Sequence, residues 1–315
     1  ARGLARHLHE SGHAGYRVYD HDASDGSMLE ETGVTSSGTK CHFNRRVAGS
    51  SLIIGIGQVS FHYFAGFGGG RKLVLPGIAG EKTIMANHRL SLKEDPGEGP
   101  AQGCEPGMLD GNPVHEDMVE GARTLIPPVF MINTVKGAGE GYSFINAGGM
   151  EVSHASAVAW MRERFSFPIE KLYGAVMVSA GGHPSDIDLL QSHKALSYAS
   201  RALDQGGVLL AAAACGEGIG STSLEGCVAG ERETVPEKVR KRYTLNSQTA
   251  MSLYELSRRS SIYLRSRLPA EVSSRFGMIA WEDGFERFLL EGIDPSDILV
   301  IRDSARFLPS RLSTG

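Results

Sequence analysis

The segment from Phe61 to Leu90 reads FHYFAGFGGGRKLVLPGIAGEKTIMANHRL and combines a run of three glycines with several chemically versatile side chains. The glycines, residues 68–70, are followed closely by Lys72. Two histidines flank this lysine: His62 lies ten positions before it and His88 sixteen positions after it. Taken one at a time, such side chains are more often core, capping or surface residues than parts of a site, so their meaning depends on their context in the chain.

An apolar run at residues 51–57 leads into the glycines and has the composition of a buried strand. The glycine-rich turn is therefore expected at the carboxyl end of a strand, where open α/β sheets place ligands. Glycines there can adopt positive φ, and their N–H groups can cradle an anion. Two nucleotide motifs do not fit, because Leu73 replaces the Walker Ser or Thr and Ser60 replaces the third glycine of the dinucleotide fingerprint.

The second half of the chain alternates strand and helix patterns. The predicted strands are residues 174–180, 207–214, 261–264 and 297–301, and the predicted helices are residues 186–203, 245–259 and 281–291. This rhythm predicts a mostly parallel sheet with helices on both faces. With 315 residues, of which 41% are apolar, we expect an α/β protein of two domains, residues 1–167 and residues 168–315.

The first half shows weaker patterns. Residues 28–33 are expected to form a short helical turn, and residues 81–92 a helix on which Ile84 and His88 share a face. Asn112 is expected to cap a helix that has Pro113 at its first position. Further predicted elements are strands at residues 129–135 and 142–147 and a helix at residues 151–165.

Composition narrows the class of protein. The formal net charge of −4 gives no sign of nucleic-acid binding. No apolar stretch approaches the roughly eighteen residues that span a bilayer, and no signal-peptide pattern is present. The four cysteines, Cys41, Cys104, Cys215 and Cys227, show no CxxC spacing, so we expect reduced thiols in a cytoplasmic protein.

The central segment resembles the lactate racemase family. The resemblance rests on His-x9-Lys-x15-His, set in H-x-x-A-G-F-x-G-G-x-K-x-x-x-P-G-I and followed by T-I-x-x-N-H. Further matching blocks extend it over essentially the whole chain: residues 111–113, 181–184, 191–194 and 215–218. The resemblance implies an active site in the cleft between two domains. Family members also have further residues before the position that corresponds to Ala1, and the resemblance implies another catalytic histidine among them.

The same resemblance implies a cofactor, a covalently attached nickel-pincer nucleotide (a pyridinium thioamide/thiocarboxylate mononucleotide that carries nickel). Lys72 would form the covalent bond to it. Gly68, Gly69 and Gly70 would let the main chain approach it. His88 would give an imidazole nitrogen to the nickel, in a square-planar site that suits Ni(II).

The resemblance further implies a substrate, a small 2-hydroxy acid that is racemised or epimerised by transient hydride transfer to the cofactor. His62 would act as general base and acid on the hydroxyl proton. Lys194 would hold the substrate carboxylate, and Gln191 would form a hydrogen bond near the metal or cofactor. Lactate-racemising members have a tyrosine where this chain has Leu190, so lactate itself is in doubt as the substrate. Enzymes that synthesise the cofactor would be partners.

Three other classes stay open. A zinc hydrolase could use His62 and His88 as ligands but would need a third ligand with defined spacing. A nicotinamide-dependent dehydrogenase would share the hydride chemistry but lacks a complete glycine fingerprint. A non-catalytic module could hold a nucleotide or anion without turnover.

Overall fold

The first half of the chain combines a small mixed sheet with helices. The computed structural model describes residues 15–95, 99–137, 141–282, 284 and 290–311. The first-half elements are β1 (Leu29–Val34), β2 (Lys40–Asn44), α1 (Arg45–Ala48), β3 (Ile53–Gln58), β4 (Phe61–His62), β5 (Gly66–Phe67), α2 (Glu81–Arg89), α3 (Pro113–Arg123), β6 (Val129–Lys136), β7 (Tyr142–Gly149) and α4 (Met150–Phe165). In the three-stranded sheet β3-β6-β7, β3 is parallel and β7 antiparallel to β6.

One face of this sheet packs inward, and glycines let it do so. A Cβ built on Gly55 would stand 2.3 Å from the sulfur of Met131, and one on Gly57 would stand 2.9 Å from Leu73. Both glycines are therefore required for packing inside strand β3. The Gly-x-Gly pair that partly matches a dinucleotide fingerprint is thus explained by strand packing.

The other face of the sheet is apolar and exposed. Along β3, Ile54 is 56% exposed and Ile56 is 68% exposed, and Ile145 on β7 is 62% exposed. Strand register places Ile54 beside Phe130 and Ile56 beside Ile132. We call this surface the open face. The prediction of a buried strand at residues 51–57 was therefore wrong for one of its two sides, because alternate side chains of a strand point in opposite directions.

The second half forms a five-stranded parallel sheet. Its elements are β8 (Ser166–Ile169), β9 (Tyr173–Ser179), α5 (Leu189–Ala199), β10 (Leu203–Ala212), α6 (Thr222–Cys227), α7 (Val235–Lys241), α8 (Ser247–Arg259), β11 (Ser261–Arg265), α9 (Ala270–Arg275), β12 (Met278–Ala280), β13 (Ile298–Ile301) and β14 (Leu308–Arg311). The strand order is β12-β11-β10-β9-β13, and every neighbouring pair is parallel. The predicted α/β class with helix-flanked parallel sheets is confirmed.

Several element boundaries differ from the predictions. Residues 28–33 were expected to form a helical turn, but residues 29–33 belong to strand β1, which pairs with β2. Met28 ends a short 3₁₀ turn at Gly26–Met28. Helix α5 begins at Leu189, three residues later than expected, because Asp188 caps it by accepting a hydrogen bond from the Gln191 N–H. Most of the helix predicted at residues 281–291 lies outside the described residues.

The region that joins the two halves is a strand. Strand β8 pairs in parallel with β14, so the end of the described chain returns to the middle of the sequence. The domain boundary between residues 167 and 168 stays a prediction. Among the described residues, no helix is long and apolar enough to cross a bilayer.

Candidate active site

Three of the predicted site residues meet on the ring of Phe64. The His62 ring stands edge-on to it, with centroids 4.6 Å apart, and the His88 ring lies 5.0 Å away. The Lys72 Nζ atom is 5.5 Å from the centre of the same ring. An imidazole from strand β4, an imidazole from helix α2 and an amine from the glycine-rich turn therefore share one neighbour.

The glycine-rich turn is seated on protein atoms. Gly69 and Gly70 have φ values of 72° and 52°, in the region that favours glycine. A Cβ on Gly70 would stand 2.6 Å from the ring of His154, and one on Gly68 would stand 3.0 Å from the hydroxyl of Ser60. Close packing explains why these positions lack side chains. Their role in cofactor approach stays a prediction.

Arg71 organises the turn from inside. Its side chain is buried, with 1% exposed, and donates from Nη1 to the Phe67 carbonyl at 2.8 Å and from Nη2 to the Ala65 carbonyl at 2.7 Å. His154 Nε2 donates to the Gly68 carbonyl at 3.0 Å. Burial lowers the pKa of Arg71 to about 9, and no carboxylate of the described residues offsets this effect. The segment that joins His62 to Lys72 is thus wrapped around a buried guanidinium.

A chain of hydrogen bonds sets the tautomer of His88. The amide nitrogen of Asn87 donates to the Val114 carbonyl at 3.1 Å and to Asp117 Oδ2 at 2.8 Å, so the Asn87 oxygen must face His88. His88 Nδ1, 3.0 Å from that oxygen, therefore donates and carries the ring proton. Nε2 keeps its lone pair. Metal-binding histidines typically donate from one nitrogen in this way and bind the metal with the other.

Lys72 lies in a setting that disfavours its charge. Burial, followed by the nearby charges of Arg71 and Lys194, holds the pKa of its amine well below the usual range. Nothing acidic in the described part of the chain counters these effects. Both effects favour the neutral form of the amine, which is its nucleophilic form.

Lys194 and Gln191 lie together on helix α5. Lys194 Nζ donates to Gln191 Oε1 at 2.7 Å, as expected for residues three apart. Burial lowers the pKa of Lys194, but the carboxylate of Asp188 at the start of the helix opposes this shift. The charge of Lys194 also lowers the pKa of both His62 and Lys72, so α5 faces the glycine-rich turn.

His62 is held as a neutral ring. Burial, and then the charges of Lys72 and Lys194, keep its pKa well below the usual range, with His88 and Arg71 adding smaller effects. The Ala65 N–H donates to His62 Nδ1 at 3.3 Å, so the neutral ring carries its proton on Nε2. The site as a whole is electropositive, which favours an anionic ligand.

Both halves contribute to the surroundings of His62. Tyr63 packs edge-on against His193 of α5, with ring centroids 4.4 Å apart, and its hydroxyl lies 2.7 Å from the hydroxyl of Thr249 on α8. A cavity of about 610 Å³ borders Tyr63 and Phe64 and is lined by residues of both halves. The predicted catalytic, tether and metal-binding side chains lie outside its lining.

The sequence patterns did not identify four residues that shape the site: Phe64, Arg71, Asn87 and Asp117. Asn87 lies inside the matched T-I-x-x-N-H block, and that match was the one feature of the sequence that could have indicated its role. Asp117 lies on α3, far away in sequence, and only the fold brings it to Asn87.

A zinc site with three protein ligands is not present in the described part of the chain. Within residues 15–95, 99–137, 141–282, 284 and 290–311, no group of three or more His, Cys, Asp or Glu side chains could hold a metal ion. Within these residues, the zinc-hydrolase alternative therefore finds no set of three ligands.

Comparison with known families identifies two matching domain models. The model of the lactate racemase N-terminal domain matches residues 4–99, and that of the lactate racemase C-terminal domain matches residues 170–254. Together they match more than half of the chain.

Individual relatives agree. The lactate racemase of Lactiplantibacillus plantarum is 35% identical over 200 residues, and that of Thermoanaerobacterium thermosaccharolyticum is 32% identical over 200 residues. Each alignment spans 64% of this chain and 45% of the relative, so the matched region is less than half the length of these relatives.

Solved structures show the same similarity. The lactate racemase apoprotein of T. thermosaccharolyticum matches with a TM-score of 0.82 and 26% identity, over 92% of this chain and 70% of that chain. A Thermotoga maritima protein matches with a TM-score of 0.71 over 98% of this chain and 82% of that chain, and at 14% identity it supports the fold alone.

Proposed function

Because the chain belongs to the lactate racemase family, we propose that it racemises or epimerises a small 2-hydroxy acid. The observation that carries this proposal is the meeting of His62, Lys72 and His88 on the ring of Phe64. The second lysine, Lys194, faces the same group from the other half of the chain. An electropositive site of this kind suits the carboxylate of a hydroxy acid.

The residues present fit a nickel-pincer nucleotide. The surroundings of Lys72 favour the neutral form of its amine, and that form can make the covalent attachment. The lone pair on His88 Nε2 can bind a metal ion because Nδ1–H donates to Asn87. When bound, this cofactor supplies a hydride acceptor. Such an acceptor avoids deprotonation of C2, which is only weakly acidic beside a charged carboxylate.

Lys194 is proposed to bind the substrate carboxylate. Its ammonium is a compact charge with three donors, of which Gln191 takes one. The Asp188 carboxylate favours the charged form of Lys194, which carboxylate binding requires. Gln191 keeps its own amide N–H₂ group for a ligand oxygen.

His62 is proposed to exchange the hydroxyl proton at Nε2. In the structure Nε2 carries the proton, because Nδ1 accepts the Ala65 N–H. Accepting a proton at Nε2 requires the other tautomer, which gives up that hydrogen bond. Because Ala65 is buried and its N–H would lose its acceptor, we expect the change to cost about 1–3 kcal/mol.

The substrate side chain and the setting are also proposals. Leu190 stands where lactate-racemising members have a tyrosine, and a leucine offers no hydroxyl to a ligand. Its side chain packs against the buried core of the second half. The buried, unpaired thiols of Cys41, Cys104, Cys215 and Cys227 suit a reducing, cytoplasmic setting. Enzymes that make the cofactor would act on this chain before turnover.

The proposal is tested by expressing the protein together with cofactor-synthesis enzymes. We expect a covalent mass increment, bound nickel, and interconversion of the enantiomers or epimers of at least one 2-hydroxy acid in a chiral screen. In D₂O the C2 hydrogen should be retained, because the hydrogen leaves and returns without exchange with water. Incorporation of solvent deuterium at C2 would exclude hydride transfer, and no turnover on any hydroxy acid would favour the non-catalytic module.

Variants separate the proposed roles. His88→Ala should lose nickel, and a normal nickel content would remove it as the ligand. His62→Ala should keep the mass increment and nickel but lose turnover, and an active variant would remove its acid–base role. His42→Ala serves as the control, because His42 lies on β2 beside Glu31 and away from Phe64.

A further inference from the structure

Helix α5 presents three polar residues to the first half of the chain. Gln191, Lys194 and Tyr198 are three and four positions apart, so they lie along one face of the helix. Lys194 and Gln191 bond to each other, whereas the hydroxyl of Tyr198 donates to the Phe61 carbonyl at 2.8 Å. Phe61 is the residue directly before His62. One helix face therefore holds both a proposed carboxylate-binding group and the main chain beside the proposed proton carrier.

The residue after His62 is tied to the second half as well. The hydroxyls of Tyr63 and Thr249 are 2.7 Å apart, and both residues are buried. The Tyr63 ring lies between two histidines: it stacks on His62 with centroids 5.3 Å apart and stands edge-on to His193. Strand β4 is only two residues long, and its own pairing with β5 involves only two residue pairs. Such a short strand has few hydrogen bonds of its own to fix its position.

We propose that Tyr198 is a positioning residue that holds His62 at a fixed distance from Lys194, with the Tyr63–Thr249 contact as a second tie. This inference rests on the proposed function for its catalytic consequence, but the ties themselves do not depend on it. A carboxylate held on Lys194 and a hydroxyl presented to His62 belong to neighbouring carbons of the substrate. The reaction therefore needs the spacing of these two side chains to be constant.

A buried tyrosine can also serve only to fill the core, and the two roles predict different kinetics. A positioning role lowers kcat and leaves KM nearly unchanged, because Lys194 still binds the carboxylate while His62 is less often in place. Loss of core packing instead lowers overall stability and leaves the kinetics of the folded fraction unchanged. The single hydroxyl at stake can be removed without a change in ring volume, which makes the comparison clean.

The first experiment uses the cofactor-loaded, full-length chain. In Tyr198→Phe we expect kcat to fall by about tenfold with KM within twofold of the wild type. Tyr254→Phe on α8 is the matched control, because Tyr254 packs against the core of the second half. Its kcat should be unchanged. An unchanged kcat in Tyr198→Phe, or a rise in KM at constant kcat, would overturn the proposal.

The second experiment does not depend on turnover. Amide hydrogen exchange is measured on the full chain without cofactor. Residues 61–66 should exchange several times faster in Tyr198→Phe than in the wild type, and residues 247–259 should be unaffected. Thr249→Val removes the second tie at constant volume and should also speed amide exchange at residues 61–66. It replaces Tyr198→Phe in the experiment if that variant does not fold.

The outcomes can be told apart. Faster local exchange in both variants with no turnover in the wild type supports the ties and rejects the proposed function. Wild-type exchange at residues 61–66 in both variants rejects the ties themselves.

Discussion

The surroundings of Lys72 and of Lys194 differ in the charges that lie near each amine. Both amines are largely buried, and burial lowers the pKa of both. Around Lys72 the further influences are the cations Arg71 and Lys194, which push in the same direction as burial. Around Lys194 the further influence is Asp188, which pushes in the opposite direction.

This difference suits two different tasks. A lysine that forms a covalent bond must be neutral, whereas one that binds a carboxylate must be charged. Lys72 lies on a turn around the buried guanidinium of Arg71, which disfavours its charge. Lys194 lies six residues after the helix-capping Asp188, whose carboxylate favours its charge. When two side chains of the same type have environments that separate their pKa values, they often have different chemical roles.

The largest expected effect is the loss of attachment at Lys72. Lys72→Ala should show no covalent mass increment after expression with cofactor-synthesis enzymes. Of the two site lysines, only Lys72 has both burial and neighbouring cations acting against its charge. Intact-protein mass spectrometry measures the result directly. Persistence of the increment would show that Lys72 is not the attachment point.

A smaller effect is expected at Lys194. Lys194→Ala should keep the mass increment and lower kcat/KM by about 10²- to 10³-fold, since removing one member of a buried charge pair costs roughly 3–4 kcal/mol. Most of the loss should be in KM. Lys194→Arg, which keeps the charge, should recover part of it, and a lost increment in either variant would contradict the separation of roles.

Removal of the Asp188 carboxylate should lower the pKa of Lys194 further, as expected for a lysine with no neighbouring anion. Asp188→Asn can still cap helix α5 but no longer favours the charge on Lys194, so the pKa of Lys194 should fall. Because binding needs the protonated form, the alkaline decline of kcat/KM should begin at lower pH, by about one unit. Asp186→Asn is the control, since Asp186 accepts the Ala214 N–H instead.

The smallest effect concerns stability. The pKa of Lys72 is lower in the folded than in the unfolded chain, so between these two values the unfolded chain binds more protons. Lys72 therefore makes stability rise with pH, by at most about 1.4 kcal/mol per pH unit. Urea unfolding at pH 7 and pH 9 should show that this gain is reduced in Lys72→Met. It should be reduced less in Lys194→Met, because Asp188 opposes the shift there. An equal reduction of this gain in the two variants would contradict the proposed difference between the two environments.

The fold of the second half could be predicted in outline because each long strand is an apolar run bounded by turn residues. Strand β12, Met278–Ala280, was missed because three residues are too short to show a period. Residues 28–33 contain Met, Leu and two Glu, which favour helix, but pairing with β2 overrode that preference.

The site shows a similar division. The spacing of His62, Lys72 and His88 could be matched to a pattern, but nothing in it indicated Phe64 as their common neighbour, because an aromatic residue beside a histidine is usual in a core. The carboxylate that distinguishes Lys194 from Lys72 was also out of reach. Its effect depends on where α5 begins, and helix boundaries are the least certain part of a prediction from sequence.

The open face of the β3-β6-β7 sheet bears on how this polypeptide behaves in a test tube. Its exposed isoleucines form an apolar surface that can adsorb to other apolar surfaces, including vessel walls, dyes and a second molecule. Ammonium sulfate strengthens such contacts, so precipitation should set in at modest concentrations of it. Low-salt buffers and dilute stocks are the appropriate conditions in which to measure the chemistry of Lys72 and Lys194.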